Sequence, residues 1–579
     1  MTRLRRAALP GYALALSLLV TGPLLGPGYL LLRDAVSTPR SYLSDAALGL
    51  TEAAPRALPQ DFAMALLSAV VDGGIVVKLL LIGGLWAAGW GAARLAATVL
   101  PQAGMPGQLV AATVAIWNPY VAERLLQGHW SLLVGYGCLP WVAHTVLRLR
   151  SGGSGFPALA CWLAVAGLTP TGLLLAAAVA VVCLAVPGPR PRWRVGGVAV
   201  AFSALGALPW LVVATPFLTG ASSLSTYQAA GVPGVAAFAA RAEPGLGTLG
   251  SLAGLAGIWN AEAVPGSRST LFALVATAVL LAVVAIGLPV AARTRAAVPL
   301  LVLAAVAVVL PALMATGPGL TATKAVVEAL PGLGVLRDAQ KWVALALPGY
   351  TLAAAGAVVT LRRWFPALKP VAAAVACCVA VIAVLPDLAW GVWGKVTPVR
   401  YPDGWTAVAQ YINADPRPVA VLPADSMRRF DWSGPAPVLD PLPRWVRAEV
   451  LTTGDLTISG DTVLGEGGRA RAVQQVLLDG ADAARLADHG VGWVVLEADS
   501  AGELGSATRT LSQLPVVYQD REIALYRVGG DSSGASATQR AAVLAAHAAW
   551  LALLIAGGVA AGFGAIRARR ATPPATVTA

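Results

Sequence analysis

Long apolar stretches, separated by short polar gaps, run along most of this 579-residue chain. Roughly 20 apolar residues make a helix that crosses the hydrocarbon core of a bilayer. By that measure about twelve stretches qualify, and the pattern predicts a polytopic α-helical membrane protein. The predicted spans are residues 10–32, 74–98, 106–122, 130–147, 156–170, 172–187, 195–217, 269–291, 297–316, 343–361, 368–388 and 541–564.

Arginines cluster in every second gap between the apolar stretches. Lys and Arg resist translocation and therefore stay on the cytoplasmic side of the membrane. The alternation predicts that both termini are cytoplasmic, and that any chemistry faces outward from the plasma (inner) membrane, where the gaps hold Trp, Asn, His and carboxylates. The basic clusters are Arg3, Arg5 and Arg6; Arg94; Arg148 and Arg150; Arg190, Arg192 and Arg194; Arg293 and Arg295; Arg362, Arg363 and Lys369; and Arg567, Arg569 and Arg570.

The pattern changes in the last outward segment, residues 391–532. Short β-branched runs at 418–422, 492–497, 516–518 and 523–528 alternate with helical patterns at 405–413 and 470–486. This alternation predicts a small extracytoplasmic α/β domain, which we expect to fold in water as a fragment of about residues 395–530. Before it, residues 1–390 form the predicted transmembrane domain, whose long outward loops are 33–72, 218–268 and 316–342. After it, residues 533–579 supply the last transmembrane helix and a short basic cytoplasmic tail.

Composition agrees with a membrane protein. Hydrophobic residues make up 57% of the chain and charged residues 12%, about half the charged fraction of a soluble domain. The net charge of +12 does not indicate nucleic-acid binding, because about 18 of the 29 acidic residues lie between 403 and 531 and the basic excess belongs to cytoplasmic loops that touch anionic lipid. All five cysteines lie in apolar stretches, so neither a disulfide framework nor a zinc site is predicted.

Asp34 follows the end of the first predicted span and is the first candidate for chemistry. A carboxylate at the membrane boundary is partly desolvated, which is expected to raise its pKa toward the range useful to a general base. The alternative is that Arg33 and Asp34 are a solvated ion pair that marks the interface.

A second group of candidates lies in the run from Trp117 to Trp130. Aromatic faces beside amide, carboxylate and imidazole groups are typical of a sugar-binding cleft, although Trp and Tyr are also common membrane anchors. Asn118-Pro119 is expected to end the third span. The candidate sugar or acceptor contacts are Asn118, Glu123, His129 and Trp130, with Trp259 and Asn260 as weaker ones.

Two outward cations, Arg337 and Lys341, stand four residues apart and would share a helix face. This spacing suits a phosphate at the membrane surface; the alternative is snorkelling with a local pair to Asp338. No metal-ligand spacing is present, so no metal site is predicted and no cofactor is certain, although loop carboxylates could bind a divalent cation.

As a set, Asp34, the run Asn118-Pro-Tyr-Val-Ala-Glu-Arg-Leu-Leu-Gln-Gly-His-Trp130 and the run Leu336-Arg-Asp-Ala-Gln-Lys341 resemble known enzymes. They are similar to the large actinobacterial membrane arabinofuranosyltransferases that branch cell-wall arabinan, and more distantly to YfhO-type membrane proteins. Both belong to the GT-C-like membrane proteins with long extracytoplasmic loops. The resemblance covers roughly residues 10–390. These 579 residues are far fewer than those of the branching enzyme, no carbohydrate-binding module is expected among them, and Asp338 stands where an amide is expected.

The resemblance implies an inverting glycosyltransferase that moves a sugar, arabinofuranose in the nearest case, from a polyprenyl-phosphate donor to a cell-wall glycan. It implies that Asp34 is the general base and that Arg337 and Lys341 bind the donor phosphate. Asn118, Glu123, His129 and Trp130 would line the sugar site, together with Trp259 and Asn260. Two alternatives stay open: a non-catalytic scaffold of cell-envelope assembly, and a transporter or flippase of lipid-linked sugars. A transporter would need polar groups deep in its spans, whereas these spans are nearly all Ala, Val and Leu.

Overall fold

The computed structural model describes residues 2–52, 57–215, 234–330, 333–458 and 461–570. The first part of the predicted loop 218–268, up to residue 233, and the end of the tail, residues 571–579, lie outside the described residues. So do short stretches of the loops 33–72 and 316–342.

Helices make up most of the described chain. Pro residues stand at the first or second position of several of them, where the missing N–H is not needed by the helix. The helices are α1 (Thr2–Thr21), α2 (Gln60–Leu67), α3 (Gly73–Val99), α4 (Gly104–Ile116), α5 (Pro119–Leu126), α6 (Trp130–Arg150), α7 (Phe156–Ala166), α8 (Pro170–Cys183), α9 (Arg192–Val213), α10 (Gly234–Ala237), α11 (Gly247–Ala253), α12 (Phe272–Ala292), α13 (Val298–Met314), α14 (Gly317–Ala329), α15 (Leu347–Trp364), α16 (Pro370–Ala383), α17 (Asp403–Ala414), α18 (Leu442–Trp445), α19 (Gly468–Leu478), α20 (Ala483–Asp488), α21 (Ala507–Leu511) and α22 (Ala537–Arg570).

Seven helical segments among the described residues are long and apolar enough to cross a membrane. They are Ala7–Leu25, Gly73–Val99, Trp130–Arg150, Arg192–Val213, Phe272–Ala292, Ala339–Trp364 and Ala537–Arg567. The number rises to nine if two bent pairs each count as one span: α13 with α14, bent by 94°, and α16 with the segment Pro386–Gly394, bent by 76°. The polytopic helical class is therefore confirmed, but the number of twelve is not, because α4, α7 and α8 are too short to cross on their own.

The end of the first predicted span and the helix expected around Arg337 and Lys341 are both wrong. The first span was expected to continue to residue 32, but its helical part ends at Leu25 and Tyr29–Leu32 is a β-strand. The expected helix carrying both Arg337 and Lys341 is absent from the described residues, because Arg337 lies in a bend and the 3₁₀ helix Ala339–Ala346 begins after it. The two cations therefore do not share a helix face through their four-residue spacing.

The helix in the third predicted span breaks at Asn118-Pro119, before the predicted end at residue 122, and with 13 residues it is not among the segments long enough to cross a membrane. The helix α4 stops at Ile116, and Asn118 adopts an extended conformation in which its side-chain oxygen accepts a bond from the Val121 N–H. Asn is a preferred cap and Pro a preferred first helical residue, so this dipeptide starts α5 in a new direction.

The β-strands are β1 (Tyr29–Leu32), β2 (Ala35–Val36), β3 (Pro398–Val399), β4 (Val419–Leu422), β5 (Met427–Arg428), β6 (Val438–Leu439), β7 (Leu456–Ile458), β8 (Asp461–Val463), β9 (Trp493–Glu497), β10 (Val516–Gln519) and β11 (Ile523–Arg527). Four of them form the sheet of the α/β domain in the order β10-β11-β9-β4. The strands β4 and β9 are parallel, and the other neighbours are antiparallel. These are the four strands that the sequence predicted.

The loop that follows the first span, which the sequence predicts to face outward, is part of both halves of the molecule. Residues of β1 alternate between two hydrophobic cores: Leu30 and Leu32 pack into the core of the membrane helices, while Leu31 packs into the core of the α/β domain. In β2, Ala35 packs into the core of the membrane helices and Val36 packs into the core of the α/β domain. Side chains of successive strand residues point to opposite faces, so this short hairpin joins the two cores.

Polar contacts strengthen the same joint. The Tyr401 hydroxyl donates to the Ser37 carbonyl at 2.8 Å. Arg444 pairs with Asp61 at 3.1 Å. In addition, Arg540 of the last helix, α22, pairs with Asp45 at 2.7 Å. The α/β domain therefore packs against the loop that follows the first span, with polar contacts at Ser37 and Asp61.

Candidate functional site

Asp34 lies in the tight connection between β1 and β2, at the joint between the two cores. The residue before it, Arg33, has φ of 49°, in the left-handed region that non-glycine residues seldom adopt. Across from it, Gly128 has φ of 82°, and a Cβ there would collide with the backbone of Leu32 and Ala35. Gly128 therefore allows the turn between α5 and α6 to approach the Asp34 connection closely.

Two side chains from that turn bind the same oxygen of Asp34. His129 Nε2 lies 2.8 Å from Asp34 Oδ2, and Gln127 Nε2 donates to Oδ2 at 3.1 Å. No described residue bonds to Oδ1, and the Asp34 side chain is 38% exposed. One oxygen is thus fixed by the protein, and the other is available to a substrate group.

The hydrogen bonds of His129 define its tautomer. Arg124 is always a donor, and its Nη1 lies 3.0 Å from His129 Nδ1, so Nδ1 is the acceptor. The ring proton is therefore on Nε2 and is donated to Asp34. In this arrangement a neutral imidazole orients an ionised carboxylate.

Behind His129 lies a group of buried polar side chains, Glu123, Arg124, Asp338 and Gln340, which we call the sealed cluster. Arg124 forms two parallel bonds with the Asp338 carboxylate, at 2.8 and 2.9 Å, and also donates to the Gln340 side-chain oxygen. Bidentate Arg–carboxylate pairs fix orientation as well as charge. All four residues are buried.

The electrostatics of Asp34 differ from the prediction. Burial alone would raise its pKa, but the hydrogen bonds from His129 and Gln127 and the positive charge of Lys341 outweigh it and hold the pKa below its usual value. The prediction of a raised pKa at the membrane boundary is therefore wrong. Burial lowers the pKa of His129, opposed by Asp34, so the imidazole is neutral at neutral pH.

The two predicted phosphate ligands lie in different surroundings. Lys341 Nζ is 3.5 Å from Asp338 Oδ2, its side chain is 25% exposed, and its charge reaches Asp34. Arg337 instead packs over the ring of Phe238, with its guanidinium carbon 5.2 Å from the ring centre, and donates to the Gly334 carbonyl. Among the described residues no hydrogen bond or ion pair joins Arg337 to Asp34. We group Asp34, Gln127, His129 and Lys341 as the Asp34 cluster.

Three of the predicted sugar contacts are enclosed by protein. Asn118 uses its side-chain nitrogen on the Val114 and Ala115 carbonyls and on the Tyr136 hydroxyl. Glu123 accepts bonds from the backbone N–H groups of Gly257 and Ile258, both at 3.1 Å, and Trp130 is buried. All three residues therefore contact other parts of the protein and contribute to its packing. Their contact with a sugar stays a prediction.

Of the two weaker candidates, Asn260 is connected to Asp34 and Trp259 is connected to Arg337. The Asn260 side chain donates to Gln127 Oε1 at 2.9 Å, so a chain of amides runs from Asn260 through Gln127 to Asp34. Trp259 is half-buried and meets Phe238 edge to face, with ring centres 4.7 Å apart. Through Phe238, Trp259 is linked to Arg337.

Gln127 and Arg124 were not among the predicted site residues. A signal was present for each: Arg124 is a cation next to apolar residues in the run from Trp117 to Trp130, and Gln127 lies two residues before His129 in the same run. Among the described residues no group of three His, Cys, Asp or Glu side chains is arranged to hold a metal ion.

Comparisons with known proteins point to one fold. No protein-family model and no curated protein matches the chain. The cryo-EM structure of the arabinofuranosyltransferase AftD from mycobacteria superimposes with a TM-score of 0.60 at 19% identity, over 92% of this chain and 40% of that one. A point variant of the same protein superimposes with a TM-score of 0.49 at 18% identity, over 92% of this chain and 42% of that one.

The chain therefore shares its fold with AftD over most of its own length, in agreement with the sequence resemblance. The chain spans about two fifths of the length of that neighbour. At this level of identity the comparison establishes the fold and not the activity.

Proposed function

We propose that this protein is a membrane glycosyltransferase that moves a sugar from a polyprenyl-phosphate donor to a cell-envelope glycan on the outer face of the membrane. The observation that carries the proposal is the Asp34 carboxylate: Oδ2 is held by His129 and Gln127, whereas Oδ1 has no bond to a described residue, in a side chain that is 38% exposed. The fold it shares with a mycobacterial arabinofuranosyltransferase supports the same reaction class.

Asp34 would act as the general base. Its Oδ1 accepts the proton of an acceptor hydroxyl as that oxygen attacks the anomeric carbon of the sugar. The bond from that carbon to the phosphate oxygen breaks, and polyprenyl phosphate leaves with the electron pair. Attack opposite to the leaving group inverts the anomeric configuration. A single base suffices for this displacement, because the phosphate needs no proton to leave.

The donor phosphate would lie near Lys341. This ammonium group is partly exposed and its charge already acts on Asp34, so it can stabilise the negative charge that grows on the leaving phosphate. We propose Arg337 as a second phosphate ligand, at the far side of the Phe238–Trp259 pair. Of the predicted sugar contacts, His129 binds Asp34 directly and Asn260 reaches it through Gln127, so we propose both, with Trp259 beside Asn260, as the lining of the sugar site.

Arabinofuranose is the proposed sugar, because the structural neighbour is an arabinofuranosyltransferase. Purified protein would be incubated with a polyprenyl-phosphate arabinofuranose and a short arabinan, and with matched donors that carry a hexose. We expect transfer of the pentose, with a product whose anomeric configuration, read by NMR, is opposite to that of the donor. A retained configuration would contradict the single-base mechanism, and no transfer from any lipid-linked sugar would favour a scaffold.

Orientation is tested separately with single-cysteine labelling in intact cells, in a background without the five native cysteines. Thr508 and Ser154 are both exposed, in the α/β domain and in a basic loop respectively. We expect Thr508→Cys to react with an impermeant maleimide from outside and Ser154→Cys to react only after permeabilisation. The reverse result would place the Asp34 cluster on the cytoplasmic face.

A further inference from the structure

Arg33 is held in a backbone conformation that costs free energy. A left-handed φ brings the Cβ of a non-glycine residue close to the following carbonyl oxygen, so such residues persist only where their surroundings hold them. Arg33 has φ of 49° and directly precedes Asp34. The direction in which the Asp34 side chain leaves the connection depends on this conformation.

The α/β domain supplies the contacts that hold it. The Arg33 N–H donates to the Pro437 carbonyl at 3.0 Å, and the Leu439 N–H donates to the Arg33 carbonyl at 2.9 Å. Both backbone groups of Arg33 are thus bonded to one segment, Pro437–Leu439, which lies 404 residues or more further along the chain. We call this segment the clamp.

The Arg33 side chain adds contacts to the membrane part. Its guanidinium donates to the Leu126 carbonyl at 2.7 Å and to the Glu262 carbonyl at 3.0 Å. Leu126 immediately precedes Gln127, which binds Asp34. Arg33 therefore lies between the clamp on one side and the turn that positions Asp34 on the other.

The clamp is itself fixed inside the α/β domain. Val438 in β6 pairs with Arg428 in β5, and the buried Arg428 guanidinium binds Glu497 at the end of β9 and lies 3.8 Å from Asp440. A buried cation between two buried carboxylates is costly to disrupt, so the clamp is tied firmly to the central sheet.

We propose that the α/β domain is a positioning element of the Asp34 site: through the clamp it holds Arg33 in the left-handed conformation and so directs Asp34 Oδ1 toward the substrate. The role given to Asp34 rests on the proposed function. The clamp itself does not, and it can be tested without any assay of transfer.

The first test removes one clamp bond from the full-length protein. Leu439→Pro deletes the N–H that donates to Arg33, whereas Leu439→Ala keeps that N–H and serves as the matched control. Hydrogen exchange measured by mass spectrometry on the peptide covering 29–36 should become at least about tenfold faster in Leu439→Pro. The same variant should lose kcat by about tenfold with the donor KM unchanged, because Lys341 is not moved. Leu439→Ala should leave kcat unchanged.

The second pair of variants tests the backbone conformation and does not alter the α/β domain. Arg33→Gly and Arg33→Ala both delete the guanidinium, but only glycine accepts the left-handed φ without penalty. We expect kcat of Arg33→Gly to exceed that of Arg33→Ala by about fivefold or more, with equal donor KM values.

Unchanged exchange in Leu439→Pro would overturn the proposal, and so would faster exchange with full kcat. Equal kcat values for the two Arg33 variants would show that the left-handed conformation does not direct Asp34. If the wild type transferred no sugar at all, the proposed function would fail, and the exchange measurement alone would still decide whether the clamp orders the Asp34 connection.

Discussion

The sealed cluster and the Asp34 cluster are neighbouring groups of polar residues, and each takes two of its four members from the short stretch between Trp117 and Trp130. In the sealed cluster every residue is buried, and Glu123, Arg124 and Asp338 all bind other protein groups. In the Asp34 cluster the carboxylate keeps one oxygen without a bond to any described residue, and the side chains of Asp34 and Lys341 are partly exposed.

The difference shows why charge alone does not identify a catalytic group. In the sequence, Glu123 and Asp34 are both carboxylates in candidate site segments. In the structure, both oxygens of Glu123 accept bonds from backbone N–H groups. The sealed cluster instead orients the Asp34 cluster, because Arg124 binds both Asp338 and His129. One group holds the geometry, and the other is placed to react.

The largest loss of stability is expected when the sealed cluster is broken. Arg124→Ala would leave the Asp338 carboxylate buried without its bidentate partner, which typically costs about 3–5 kcal/mol. We expect a large fall in the melting temperature of the detergent-solubilised protein. Arg509→Ala, at an exposed arginine, should change stability by less than about 0.5 kcal/mol. Equal melting temperatures for the two variants would show that the sealed cluster does not stabilise the fold.

A smaller effect, on rate and pH dependence, is expected at the link between the clusters. His129→Ala removes the strongest of the bonds that lower the pKa of Asp34, so that pKa should rise. Because the carboxylate must be ionised to act as a base, the acid limb of the kcat/KM profile should move to higher pH, and kcat should fall by about 10- to 100-fold. His489→Ala, in the α/β domain, is the control. An acid limb that does not move would show that His129 does not set the charge state of Asp34.

The smallest effect concerns a group that belongs to neither cluster. Burial raises the pKa of Asp499 in the α/β domain to about 6. Its folded pKa lies above the unfolded value of 3.8, so the folded state binds the proton more tightly and this contribution to stability is lost as pH rises through about 4 to 6. The fall in melting temperature between about pH 4 and about pH 7 should therefore be smaller in Asp499→Asn than in the wild type, and unaltered in the exposed control Asp479→Asn. An equal fall in melting temperature in all three proteins would contradict the raised pKa of Asp499.

Local patterns in the sequence predicted the membrane class, the four strands of the α/β sheet and the break at Asn118-Pro119, because each depends on neighbours in the chain. These local patterns gave wrong predictions where contacts with distant segments of the chain determine the local structure. Residues 29–32 are apolar enough to continue a span, yet they form β1 because both cores offer them a packing surface. The spacing of Arg337 and Lys341 suggested one helix face, but a bend separates them.

The candidate site was predicted in part for the same reason. Asp34 and His129 were identified by residue type and position, and the structure brings them within 2.8 Å. The role of Gln127 depends on Gly128, whose lack of a Cβ allows two chain segments to meet. The pKa of Asp34 could not be deduced from the sequence, because its direction depends on partners 93 or more residues away.

Replacement of Asp34 and Asp45, two carboxylates of the loop that follows the first span, tests the central claim most directly. Asp34→Asn keeps an oxygen that can accept the bonds from His129 and Gln127 but removes the base, so the melting temperature should hold while kcat for sugar transfer falls by about 10²–10⁴-fold. Asp45→Asn removes a carboxylate that pairs with Arg540 and should retain nearly full turnover. Full turnover in Asp34→Asn, or a comparable loss in Asp45→Asn alone, would contradict the account.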